Sequence, residues 1–356
     1  MKILFSGGGT LGPVTPLLAI HDMVTEAHPN ATFFWIGTKR GPEKMTIEEY
    51  GIPFHTISSG KLRRYISFWN VIDIVRIVIG FFQSIKILWR EKPDVCISAG
   101  GFVSVPVHAA AWLLGIPTWV HQQDVVIGLA NKLMAPSARV ITTALEMHLN
   151  YFSKKKTTWI GNPVRASLFH GTRAGAEKLF GIDPKLPVVF ATGGGTGSFR
   201  VNQLVIEAVH HLQGICHIIH LTGKERPQEL IEPAKRQFSF YHPFLFFTEE
   251  MSDAYAAADI VISRGGFGTM SEIAALEKPG ILIPKPGHQE ENVAFLSEKN
   301  AVVVLDEKTC NGNHLAKVIK ELLADSAERG RLAQRLTHLL PRAKKDDLLE
   351  VLRKCI

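Results

Sequence analysis

The chain has 356 residues, 46% hydrophobic and 21% charged, an ordinary globular balance that allows two domains with full cores and excludes a disordered protein. The 40 Lys and Arg outnumber the 33 Asp and Glu, and the net charge of +7 favours an anionic partner such as a nucleotide or a phospholipid surface. No nucleic-acid-binding signature accompanies that charge, and Cys96, Cys216, Cys310 and Cys355 lack metal-ligand spacing and fit free thiols.

Lys2 to Ser6 reads as a strand that runs into the loop Gly7-Gly-Gly-Thr-Leu-Gly12 and a helix through Leu17 to Val24. No secretory apolar region precedes it, so export is not expected. The loop meets the dinucleotide fingerprint Gly7-x-Gly9-x-x-Gly12. The next strand, Thr32 to Ile36, ends without the ribose-holding carboxylate that this fingerprint expects. Arg40 beside an NADP phosphate keeps an oxidoreductase as an alternative. From Ser58 to Lys92 a basic turn, Gly60-Lys-Leu-Arg-Arg-Tyr65, leads into an apolar run from Phe68 to Phe82 that is too rich for one amphipathic stripe. Taken alone, it reads as a thick buried helix or as a basic-rimmed face for an anionic membrane. Asp73, Arg76 and Lys86 interrupt it, so it is not expected to span a bilayer.

Asp94 to Ser98 and Pro117 to His121 follow as strands, the first opening into Gly100-Gly-Phe102, the second delivering His121-Gln-Gln-Asp124. That is where doubly wound sheets place ligands, and the pair serves equally as base and orienter or as turn-capping groups. Asn162-Pro163 marks a linker. The second half repeats the order: a strand at Pro187 to Thr192 with Gly193-Gly-Gly-Thr196, then strands near 217–221, 244–247, 259–263, 280–284 and 301–305. At its centre, Asp259 to Pro279 reads as strand, glycine turn and helix, which aims free N–H groups and a helix dipole at a phosphate. Ser98-Ala-Gly-Gly-Phe echoes Ser263-Arg-Gly-Gly-Phe, as the first GGGT loop echoes the second. The repeat predicts an α/β protein of two doubly wound, Rossmann-like domains, 1–163 and 164–340, with 341–356 packing back on the first.

These motifs, in order, resemble the MurG-like transferases of glycosyltransferase family 28, whose fold is GT-B, two such domains facing a cleft. The resemblance rests on Gly8 to Gly12 with Pro16, Gly60 to Tyr65, Gly100 to Phe102, His121 to Asp124 with Gly128 to Lys132, and Gly161 to Arg165. In the second half it rests on Gly193 to Gln203, Met251 with Ala254-Tyr255, Arg264 to Glu272, and His288-Gln289 with Asn292. It implies inverting transfer of N-acetylglucosamine from UDP-GlcNAc to the MurNAc of lipid I, at the cytoplasmic face of the inner membrane, by a peripheral protein. Thr248 is implied at the uracil, Phe267, Gly268, Thr269, Met270, Ser271 and Glu272 around nucleotide and sugar, and Gln289 at the sugar. Arg165 and Gly195 would face the UDP diphosphate, and Thr10, Leu11, Gly12 and Asp124 the reacting sugars and the lipid diphosphate. Lys61, Arg63, Arg64, Phe68 and Trp69 become a membrane-docking face. No cofactor is implied, and with no DxD-like acidic pair no metal is expected. Leu11 replaces a family glycine and Pro13 the family histidine that is a proposed base. Asp124 is expected to take the base role, with His121 next. The altered loops also leave a different lipid-linked acceptor, or a non-catalytic binding scaffold, as alternatives.

Overall fold

A computed structural model of the chain describes residues 1–60, 68–224, 226–247 and 249–356, with the side chains of 68–71 outside that description. It divides into two compact units, residues 1–165 with 342–356, and residues 166–341. In the first unit β1 (Lys2–Ser6), α1 (Val14–Ala27), β2 (Thr32–Thr38), α2 (Glu43–Glu49), β3 (Phe54–Ile57) and α3 (Phe68–Glu91) come first. Then follow β4 (Val95–Ser98), α4 (Ser104–Leu113), β5 (Thr118–Gln122), α5 (Leu129–Met134), β6 (Val140–Thr143) and β7 (Thr157–Trp159). The strands form one sheet in the order β3-β2-β1-β4-β5-β6-β7, every neighbouring pair parallel. The strand order reverses between β1 and β4, so the loops after these strands open the crevice in which such sheets bind ligands.

The second unit carries α6 (Arg173–Phe180), β8 (Val188–Thr192), α7 (Phe199–Val209), β9 (His217–Leu221), α8 (Ile231–Gln237), β10 (Tyr241–Phe244) and α9 (Glu250–Ala257). It continues through β11 (Ile260–Ser263), α10 (Phe267–Ala275), β12 (Gly280–Leu282), α11 (His288–Ser297), β13 (Val303–Val304), α12 (Gly312–Ala324) and α13 (Ser326–Leu339). Its parallel sheet runs β10-β9-β8-β11-β12-β13. β8 stands where β1 stands in the first sheet, and β11 where β4 stands. The repeat in the sequence is thus a repeat in topology.

Burial explains the pattern. The central strands are covered on both faces, so they read as continuous apolar runs such as Val188-Val-Phe-Ala191. In α7, Val201, Leu204, Val205, Ala208 and Val209 are buried at helical spacing, and the Ser198 side chain caps its start by accepting from Val201 N. The last helix, α14 (Lys345–Cys355), belongs to the first unit, where Leu348, Leu349, Val351 and Leu352 join the core beneath α1. The chain re-enters that unit through a bridge between Asn162 and Arg342 and a bond from Ala343 N to Asn162 O of 2.9 Å.

Two expectations shift. The strand expected at 244–247 lies three residues earlier, because Phe247 leaves the sheet to pack its ring on Phe180 and Phe244. β3, β6 and β7, four, four and three residues long, carry too little pattern to stand out in the sequence. The long helix α3 buries only a narrow seam through Asp73, Gly80, Ser84 and Leu88. Its opposite side leaves Ile74, Val75, Val78, Ile79, Phe82 and Trp89 exposed, Phe82 by 63% and Trp89 by 73%. Neighbouring α4 ends in exposed Trp112 and Leu113. Among the described residues no helix is long and apolar enough to cross a membrane.

Candidate functional site

In the first unit the loops after β1, β4 and β5 converge. Gly101, at φ +90, lies so close to Gly8 that an added Cβ would come within 3.1 Å of the Gly8 carbonyl. Ser104, in the first turn of α4, donates to Ser6 O and Gly100 O, both at 2.9 Å, and pins the two loops together. Gln123 Nε2 donates to Gly12 O at 3.0 Å, joining the β5 loop to the first glycine loop. Thr10 and Gly12 are exposed, and Leu11 and Asp124 are half-buried at this edge.

His121 points the other way and is fully buried. Trp119 Nε1 donates to Thr142 Oγ1 at 2.7 Å, His121 Nδ1 lies 2.9 Å from that hydroxyl, and His121 Nε2 lies 2.9 Å from Asn162 Oδ1. A chain of single donors requires Nε2–H to donate to Asn162 and Nδ1 to accept from Thr142. Burial holds the imidazole to about pKa 4, against a smaller opposing pull from the Asn162 bond. His121 is therefore a neutral strut between β5, β6 and the linker. Both ring nitrogens are engaged within the buried network, which speaks against its expected place as second candidate for the base.

In the second unit the loop Gly193 to Ser198 presents Gly195 and Thr196 at its exposed apex. Gly194 faces the start of α10, its missing side chain 4.0 Å from Thr269 Oγ1. α10 follows Gly266, carries no acid in its first turn, and so offers free N–H groups and the positive end of its dipole beside that loop. Two arginines frame the loop. Arg226 Nε donates to Thr196 O at 3.2 Å. Arg264 donates from Nε to Ser198 Oγ at 2.8 Å, and from its other end to Ile283 O at 2.9 Å and to the Glu307 carboxylate at 2.5 Å. Gly268 and Thr269 are half-exposed, whereas the side chains of Phe267, Met270 and Ser271 are buried. Those three can meet a ligand only through the backbone. Glu272 is 7% exposed and accepts from Tyr255 OH at 3.1 Å, which fixes its carboxylate. Gln289 packs against Gly265, and its Oε1 accepts from Lys285 N at 3.0 Å.

The sequence matches the "Glycosyltransferase family 28 N-terminal domain" over residues 3–143 and the "Glycosyltransferase family 28 C-terminal domain" over residues 188–346. The chain belongs to glycosyltransferase family 28. Among its curated relatives is the UDP-N-acetylglucosamine–N-acetylmuramyl-(pentapeptide) pyrophosphoryl-undecaprenol N-acetylglucosamine transferase of Lachnospira eligens, 36% identical over 329 residues, 91% of each chain. The Staphylococcus carnosus protein of the same name is 35% identical over 360 residues, 99% of this chain and 97% of that one. The crystal structure of Acinetobacter baumannii MurG superposes with a TM-score of 0.72 at 22% identity, covering 99% of both chains. That likeness supports the GT-B fold. The NADP-dependent oxidoreductase, the alternative that rested on the fingerprint of the first loop, gives way here, because the chain matches family 28 over both halves.

Within this family 28 chain, Thr248, Lys61, Arg63 and Arg64 lie outside the described residues, as do the side chains of Phe68 and Trp69. Arg165 is half-buried and falls in the first unit, whose boundary comes two residues later than the expected 163. Sequence reasoning gave no role to Gln123, Arg226, Arg264 or Glu307, and it overlooked Glu43 altogether. Glu43 is fully buried and receives Gly9 N at 3.2 Å, Thr38 N at 2.7 Å and the Thr38 hydroxyl. Its only signal was an acid directly after Pro42, which reads as an ordinary helix start.

Proposed function

We propose that this chain transfers N-acetylglucosamine from UDP-GlcNAc to the MurNAc of a polyprenyl-diphosphate-linked acceptor, lipid I, with inversion at the anomeric carbon. The reaction is supported by relatives that are more than a third identical across the chain and are named for this transfer. The observation that carries the donor assignment is the second unit's loop beside an acid-free helix start, framed by Arg226 and Arg264. UDP leaves with added negative charge, and backbone N–H groups at that point stabilise it without reorganising. Glu272, held by Tyr255, is suited to accept hydrogen bonds from the ribose diol, and Gln289 from the transferred sugar. Thr248 at the uracil and Arg165 at the diphosphate complete the donor set by resemblance.

The acceptor belongs with the first unit, where Thr10, Leu11, Gly12 and Asp124 border one loop cluster. Asp124 is the base we favour: it is half-exposed, with its own carbonyl held by Gln122 Nε2 at 2.7 Å. Docking to an anionic inner-membrane surface is supported by the exposed apolar side of α3 and the end of α4, and by the basic sequence Lys61, Arg63 and Arg64 that precedes α3 in the chain. The decisive experiment is transfer of labelled sugar from UDP-GlcNAc to a short-chain lipid I analogue. Binding of UDP-GlcNAc without transfer to that analogue would overturn the acceptor assignment.

A further inference from the structure

The two arginines beside the second unit's glycine loop are held in opposite ways. Arg264 is fully engaged: its guanidinium donates to Ser198 Oγ and Ile283 O and pairs with the Glu307 carboxylate, with only 12% of the side chain exposed. A cation neutralised within the protein offers a ligand little net charge. Nearby Lys224 keeps its ammonium 4.3 Å over the Phe246 ring. Arg226 is half-buried, and only its Nε is committed, to Thr196 O at the apex of the loop. Among the described residues no carboxylate pairs with it, and no group accepts from its two outer nitrogens.

The turn that carries Arg226 is braced. Arg226 N donates to Gly223 O at 3.2 Å, Gln228 Nε2 donates to Arg226 O at 2.6 Å, and Thr222 Oγ1 donates to Phe244 O at 3.0 Å. Behind it lies a buried chain of single donors. Asn202 Oδ1 can only accept, so His220 Nε2–H donates to it at 3.1 Å and His220 Nδ1 accepts from Tyr241 OH at 2.8 Å. Asn202 Nδ2 in turn donates to Thr222 O at 2.9 Å. The arginine stem then crosses the glycine loop where no side chain obstructs it. At Gly197, whose φ is +69, a Cβ would lie 3.1 Å from Arg226 Cγ and 2.5 Å from Thr222 O. A cation fixed in this way needs little reorganisation when negative charge develops beside it.

We propose that Arg226 is a catalytic residue, the second unit's phosphate-binding cation, whose outer nitrogens contact the diphosphate of UDP-GlcNAc. In the transfer step the acceptor oxygen bonds the anomeric carbon and its proton passes to the base. The bond to UDP breaks with its electron pair left on the β-phosphate oxygen, and Arg226 stabilises that charge. Arg264 shapes the loop through Ser198 and does not touch the phosphates. The inference rests on the donor assignment proposed above and adds to it the source of positive charge.

Displacement calorimetry of the full chain with UDP and uridine tests it, alongside steady-state transfer. Arg226→Gln should weaken UDP binding about tenfold or more and leave uridine binding within about twofold, because only the charged hydrogen bonds are lost. At saturating UDP-GlcNAc its kcat should fall about tenfold, with the melting temperature of the wild type. Arg226→Lys keeps a point charge without the planar fork and should bind UDP with intermediate affinity. Methylguanidine added to Arg226→Ala should restore part of kcat, a rescue that a purely structural loss would not show. UDP affinity within about twofold of wild type in Arg226→Gln would overturn the proposal. So would equal losses of UDP and uridine, which would mean that the turn had collapsed. If Arg226→Gln fails to fold, Arg226→Lys decides by the same comparison. A wild type that binds UDP no tighter than uridine would instead sink the donor assignment, which separates the two failures.

Discussion

Acidification is the sharpest probe of His121. Its pKa falls from 6.5 free to about 4 in the folded chain because burial penalises the imidazolium. Between those values the unfolded chain binds the extra proton, so stability is full above pH 6.5 and drains away as the pH falls towards 4. At pH 5 this one group removes about 2 kcal/mol relative to pH 8. For a unit of this size that is about 4–8 °C in melting temperature. Calorimetry of wild type and His121→Gln at both pH values gives the check. The variant should melt lower at pH 8, having lost the Thr142 and Asn162 bonds, yet its drop from pH 8 to pH 5 should be about 4–8 °C smaller. His148, His108, His55, His217, His220 and His242, also lowered by burial, persist in both proteins and contribute to the remaining slope. Equal drops in the two proteins would mean that His121 titrates in solvent, and its role as a strut would be wrong.

Asp124→Asn should lower kcat by about 10²–10⁴ with UDP affinity unchanged; turnover within threefold of wild type would remove Asp124 from the base role. Arg264→Ala should destabilise the second unit by about 3–5 kcal/mol in urea titration, because it strands Glu307 and uncouples Ser198. Combined with Glu307→Ala the loss should be well short of additive, and strict additivity would show that the pair is not coupled. Phe82→Ser with Trp89→Ser removes two exposed anchors, each worth about 1.5–3 kcal/mol when buried, and should cut binding to anionic vesicles at least tenfold with transfer to a soluble acceptor retained. Unchanged vesicle binding would place the docking face elsewhere.

Local chemistry alone determined the βα repeat, the glycine turns, the cap at Ser198 and the helix start after Gly266, because each depends on residues within one turn of chain. Apolar runs such as Val188 to Ala191 announced buried parallel strands for the same reason, whereas β7, three residues long, had no period to read. Burial and long-range reach were decided only in three dimensions. His121 looked like a base beside Asp124, and the pleat of β5 sent its side chain inward while Asp124, three residues later in the loop, stayed half-exposed. Glu43 looked like the start of a short helix, and the packing of β2 against β1 carried it 34 residues back along the chain to Gly9. A sequence displays its hydrogen-bonding groups, but partners far along the chain are chosen by the sheet that brings them together.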